Sequence, residues 1–145
     1  MKVWLAMAIG LTVGVLLTTA AETHMVSYFD HDSVGMKLAK GGSFLSTPTY
    51  SVSASHRDKA GQVEVHDKET DVFYVTDGAA TFLTGGTMMG GKVTTPNQHL
   101  GTDMQGGEPH SLSKGDVMVV PAGTPHWFKT VPDHVSYFVV KVIQP

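Results

Sequence analysis

Gly115-Asp116-Val117-Met118-Val119-Val120-Pro121-Ala122-Gly123-Thr124-Pro125-His126 is the stretch that says most about this chain. Lys114-Gly115-Asp116 closes a turn, and residues 117–120 form a short, largely β-branched run of strand type. Pro121 cannot donate a ladder hydrogen bond, so the strand must end there. A second tight turn then delivers His126. The arrangement is that of a strand that ends by presenting a ligand or an acid/base into a barrel.

The spacing of glycine, five residues, Pro-x-Gly, two residues and His resembles the second signature motif of the cupins at every defined position up to His126; Thr130 stands where that motif usually ends in Asn. The first cupin motif is resembled in altered form upstream. Where the family has His-x-His, a short gap, Glu, six residues and glycine, this chain has Glu64-Val65-His66, Asp71 and Gly78. One histidine is thus replaced by glutamate and the glutamate by aspartate. Gly61 precedes Glu64 by two intervening residues, where the family has about five. The resemblance implies a jelly-roll β-barrel.

Composition agrees. A chain of 145 residues, 41% hydrophobic and 16% charged, suits one small domain with a core. Sixteen glycines and seven prolines among short runs of Val, Thr, Phe and Tyr predict many turns joining short strands, an all-β barrel or sandwich. A net charge of −3 without any run of Lys or Arg leaves no footprint for nucleic acid. Residues 1–21 read as a signal peptide: Lys2, an apolar core over 3–17, and the small residues Thr18, Thr19, Ala20 and Ala21. The apolar core contains Gly10 and Gly14 and is short for a bilayer span, so no stable membrane anchor is expected after cleavage. The expected product is a secreted or periplasmic protein of one barrel domain, residues 22–145. With no cysteine, neither a lipid attachment site nor a disulfide framework is available.

After the leader, a short helix is expected over residues 33–40, with Asp32 as its acidic cap and Gly41-Gly42 as its stop. Strands are expected around 44–45, 50–55, 62–66 and 72–75, with Thr76-Asp77-Gly78-Ala79 as a hairpin turn returning through 80–83. Residues 84–114 are rich in glycine and are read as two short strands, near 87–89 and 99–104, with a loop between them; His99 and His110 lie in this insertion, reaching over the barrel mouth or simply exposed. The last strand, Val135–Ile143, is mostly apolar and can support a homodimer, as cupins often form.

Alternation decides which side chains meet. Gln62, Glu64 and His66 share one face and Val63 and Val65 the other; Asp71, Phe73 and Val75 share a face, as do His126, Phe128 and Thr130. With these faces inward, Glu64, His66, Asp71 and His126 converge as a metal site. Two imidazoles and two carboxylates suit a divalent Zn, Fe, Mn or Ni ion. Each residue also has a plainer reading: Asp71 as a solvated turn residue after Lys68-Glu69-Thr70, and Glu64 as a half-exposed strand residue among valines. Trp127 should face away from the cavity, toward packing or an oligomer contact, while Phe73 and Phe128 line the interior. Met88 and Met89 are expected to fill core.

The resemblance implies metal-dependent chemistry on a small organic molecule, of oxygenase, isomerase or lyase type, with Glu64 and His126 as catalytic acid/base candidates. Non-catalytic binding or sensing of a small molecule without metal is the alternative, since fold alone does not choose. Arg57, the chain's only arginine, is read as part of a connection, which argues against a strongly anionic substrate.

Overall fold

The computed structural model describes residues 25–145. The expected leader and His24 lie outside them. The elements are α1 (His31–Lys40), β1 (Gly42–Ser46), β2 (Tyr50–Arg57), β3 (Val63–His66), β4 (Glu69–Thr84), β5 (Thr87–Met89), β6 (Lys92–Thr95), β7 (Gln98–Gly101), β8 (Asp103–Gln105), β9 (Glu108–Ser113), β10 (Val117–Val120), β11 (His126–Thr130) and β12 (Val135–Ile143). Among the described residues no helix is long and apolar enough to cross a membrane.

The helix cap lies two residues earlier than expected. Asp30, in extended conformation, accepts a 2.8 Å hydrogen bond from the Ser33 amide, so Asp30 is the cap and Asp32 lies in the first turn, where a negative charge suits the helix dipole. Gly41 closes the helix through its amide to the Lys37 carbonyl.

Strand β4 runs through the segment expected to be a hairpin. Its first half, Glu69 to Gly78, pairs with β12, and its second half, Ala79 to Thr84, pairs with β9. One long strand thereby joins two sheets: β10, β4, β12, β2 and β1 form the first, and β9, β4, β11, β3, β7 and β6 the second. Asp77-Gly78 marks the corner, not a reversal. The local Asp-Gly turn signal loses to long-range pairing on both flanks, with a β-bulge opposite Ser136 and Tyr137 taking up the bend. Residues 84–114 hold five strands, not two; β5 and β8 form a separate ribbon. His99 and His110 lie on β7 and β9, where His99 bonds Asp67 at 2.9 Å and His110 bonds Thr84 at 2.9 Å.

The inward faces of the two sheets meet in an aromatic core. Phe73 sits edge-on to Phe82, Tyr137 and Phe128 at centroid distances of 5.5, 5.5 and 6.0 Å. A second cluster of Val63, Leu83 and Met104 lies on the opposite face of β3, with Met88 and Trp127 packed against it. Trp127 therefore packs away from the first core, although it also borders the site cavity, and its indole N–H donates to the Gly61 carbonyl at 2.8 Å. Met88 does fill core, whereas Met89 is exposed.

At the corner, His134 bridges Asp133 at 2.9 Å and Asp77 at 3.1 Å, and these carboxylates raise its pKa above the ordinary 6.5. A raised folded pKa means that this stabilisation is complete below about pH 6.5 and is lost as pH rises through the folded value. The Tm of the wild type should therefore fall relative to that of His134→Gln between pH 6 and pH 8. Parallel Tm profiles would contradict the assignment.

Candidate metal centre

Cross-strand registry assembles the site. His126 on β11 lies directly opposite Glu64 on β3, and Asp71 on β4 lies directly opposite Lys141 on β12. One pair comes from each sheet, and His66, at the end of β3, stands between them. The turn after β10 ties this end down: the Gly123 amide donates to the His66 carbonyl at 2.8 Å, linking the Pro121-Ala122-Gly123 turn to the Glu64-Val65-His66 strand.

The imidazoles of His66 and His126 are buried, with ring centroids 5.2 Å apart. His66 Nε2 is buried without a hydrogen-bond partner. Around it stand Glu64 Oε2 at 3.6 Å and Asp71 Oδ2 at 3.4 Å, and Asp71 Oδ2 is 3.7 Å from His126 Nε2. These separations exceed ordinary hydrogen-bond lengths. They match the spacing between ligands around one ion, since bonds of about 2.1 Å in a tetrahedron place donor atoms about 3.4 Å apart. Ligand atoms of Glu64, His66 and His126 lie within 4.8 Å of one another, and so do those of His66, Glu69 and Asp71. His66 is common to both groups.

Second contacts orient these donors. His126 Nδ1–H donates to the Thr124 carbonyl at 3.0 Å, which leaves Nε2 as the lone-pair nitrogen facing the site. Burial lowers the His126 pKa, against the opposing pull of the Thr124 bond and the nearby carboxylates, so the ring is neutral and competent to ligate at neutral pH. Asp71 is 2% exposed, which rules out the solvated-turn reading. Burial works to raise its pKa, but His66 and Lys141 outweigh it and hold the carboxyl below its ordinary value.

Four neighbours of the site escaped the sequence reading. Lys141 Nζ donates to Asp71 at 3.0 and 3.2 Å and to Glu69 at 2.8 Å. Arg57, read as part of a connection, is the last residue of β2 and points inward: Nη2 donates to Glu64 Oε1 at 3.2 Å, Nε donates to the Tyr137 hydroxyl at 2.9 Å, and the guanidinium lies 4.9 Å above the Phe128 ring. Burial pushes the Tyr137 phenol up and keeps it protonated at neutral pH. The available signal was phase: Arg57 is in step with Ser53 and Ser55, and Lys141 is the single charge in an apolar strand, in step with Tyr137 and Val139. Beside the donor group lies a cavity of about 160 Å³ lined by Arg57, Glu64, Asp71, His126, Tyr137 and Lys141, with Phe73 and Phe128 as its apolar walls.

The cupin family model matches residues 44–145, more than half of the chain and the barrel from the middle of β1 onward. The chain belongs to the cupin family. Among solved structures, this cupin is similar to the cupin domain of Cnp3 from Schizosaccharomyces pombe at 13% identity and a TM-score of 0.53, covering 72% of this chain and 61% of that one. It is similar to KdgF from Halomonas sp. at 18% identity and a TM-score of 0.52, covering 72% and 80%, and to the DMSP lyase DddQ from Ruegeria pomeroyi at 15% identity and a TM-score of 0.51, covering 71% and 46%. The chain thus spans less than two thirds of the fission-yeast domain and about half of the lyase. At these identities the likeness shows the jelly-roll fold. A search of curated protein sequences finds no match.

Proposed function

We propose that this cupin binds one divalent first-row metal ion through Glu64, His66 and His126, with Asp71 as a fourth donor, and acts on a small organic molecule held in the adjoining cavity. The observation that carries the reading is the buried, unpartnered Nε2 of His66, surrounded by carboxylate oxygens at inter-ligand rather than hydrogen-bond distances. A buried polar atom left without a partner is costly, and an ion at this point would satisfy it together with its neighbours. When bound, such an ion supplies Lewis acidity toward a carbonyl or enediol oxygen, chemistry common to the oxygenase, isomerase and lyase classes.

The protein's own groups do the rest. Phe73 and Phe128 exclude water from one side of the cavity, and Thr124 fixes the His126 tautomer. Glu64 has one oxygen on the donor group and the other on Arg57, so it is placed either to ligate or, if displaced by substrate, to accept a proton as general base. One observation favours the metal-free binding alternative: the Lys141 ammonium already pairs with both Asp71 and Glu69 and offsets one of their two charges without an ion.

Elemental analysis of protein purified without chelators, then reconstituted, decides between the two. Near-stoichiometric zinc, iron, manganese or nickel is expected; no retained metal after reconstitution would leave only the binding alternative. Export is proposed on the leader sequence, residues 1–21, and a homodimer on the exposed outer residues Tyr74, Val117, Val119 and Val142 of the first sheet. An intact native mass including residue 1, or a monomer by sedimentation, would refute each in turn.

A further inference from the structure

We infer that the cavity takes a small monocarboxylate, of hydroxy-acid or keto-acid type, and that Arg57 is the residue that recognises its carboxylate. The inference rests on the metal reading above for its charge balance, and on separate geometry for Arg57.

The side chains around the donor group carry three carboxylates, Glu64, Glu69 and Asp71, against two cations, Arg57 and Lys141. The formal charge of these five groups is −1, and one divalent ion makes it +1. A monoanion returns the loaded site to neutrality; a neutral or dianionic ligand does not. Partly enclosed charges interact strongly enough for this balance to govern which ligand enters.

Arg57 is built into the wall rather than lying on the surface. Its ring contact with Phe128 and its bond to Tyr137 hold the guanidinium plane, and Gly61 makes room for it: a Cβ at Gly61 would lie 2.8 Å from Nη1. Its counter-charge, Glu64, is also a member of the proposed donor set. A carboxylate committed to a metal ion has less charge to offer a guanidinium, so loading the site weakens the Glu64 pair and leaves the guanidinium, whose Nη1 makes no hydrogen bond to the described residues, open to a second acceptor. Guanidinium suits that acceptor being a carboxylate. Size allows this. A partly enclosed cavity of about 160 Å³ has room for a short-chain acid beside the donor group.

The test titrates full-length zinc-reconstituted protein with lactate and with its neutral isostere lactamide by calorimetry, with zinc content measured on the same samples. Lactate should bind at least tenfold more tightly than lactamide, and that preference should be lost in Arg57→Gln and reduced in Arg57→Lys at unchanged zinc content. Equal affinities at full zinc occupancy, or a lactate preference that survives Arg57→Gln, would overturn the inference while leaving the metal reading intact. Should zinc not be retained, an Arg57-dependent lactate preference would still support the carboxylate assignment while the metal reading fails. If Arg57→Gln does not fold, the wild-type comparison of the two ligands decides alone: equal affinity overturns the inference, and a lactate preference with its partial loss in Arg57→Lys supports it.

Discussion

His126→Ala should lose stoichiometric zinc or manganese while keeping its fold. The ring supplies one of only two imidazole donors, and the other, His66, shares its group with Glu64. Loss of an outer-shell partner of a metal ligand typically costs about 10- to 100-fold in metal affinity, so loss of the ligand itself should exceed that. Truncating His126 also removes a buried ring that packs 5.9 Å from Phe82 and 6.3 Å from Phe73, so some loss of stability is expected alongside. His126→Gln separates the two effects, since it preserves much of the volume and removes the imidazole. If both variants retain one equivalent of metal after dialysis, His126 is not a ligand.

Gly78→Ala should be among the most destabilising single substitutions. Gly78 has φ +75°, and a Cβ there would lie 2.1 Å from the His134 carbonyl oxygen and 2.8 Å from its carbon. Both are backbone atoms, held in place because the same oxygen accepts from the Ala79 amide at 3.0 Å. Left-handed backbone strain costs about 1–2 kcal/mol for an L-residue. Overpacking adds about 1–3 kcal/mol. The sum corresponds to a Tm decrease on the order of 10 °C or more for a domain of this size. Gly85 provides the control: its φ is also +75°, but nothing lies within 4 Å of the added carbon. Gly85→Ala should show the strain alone, and equal losses in the two variants would contradict the crowding at the corner.

The parts of the molecule legible in the sequence are those set by local chemistry. Pro121 does end β10, and the alternation of Glu64 and His66 with Val63 and Val65 does separate the donor face from the buried Val63 face. Burial of Phe73 and Phe128 follows from the same period of two. What escaped depends on distant partners. Asp77-Gly78 carries a strong hairpin signal, yet β12 on one flank and β9 on the other hold β4 straight through it. The many glycines of residues 84–114 hid β6 and β9, which are specified by pairing with β7 and β4 rather than by their own composition. Arg57, followed by Asp58 and Lys59, has the neighbours of a surface residue; its phase with Ser53 and Ser55 is a faint hint, and its registry opposite Val135 and its bond to Tyr137 show that it turns inward. The same holds for Lys141, whose role becomes visible only once Asp71 is seen across the ladder from it.

Anomalous diffraction from crystals of the manganese- or zinc-reconstituted protein would locate the ion outright. A single strong peak is expected, enclosed by Glu64, His66 and His126, with Asp71 facing it. A peak elsewhere, for instance at the half-buried His134 with Asp77 and Asp133, or no peak at all in fully reconstituted crystals, would contradict the proposed site.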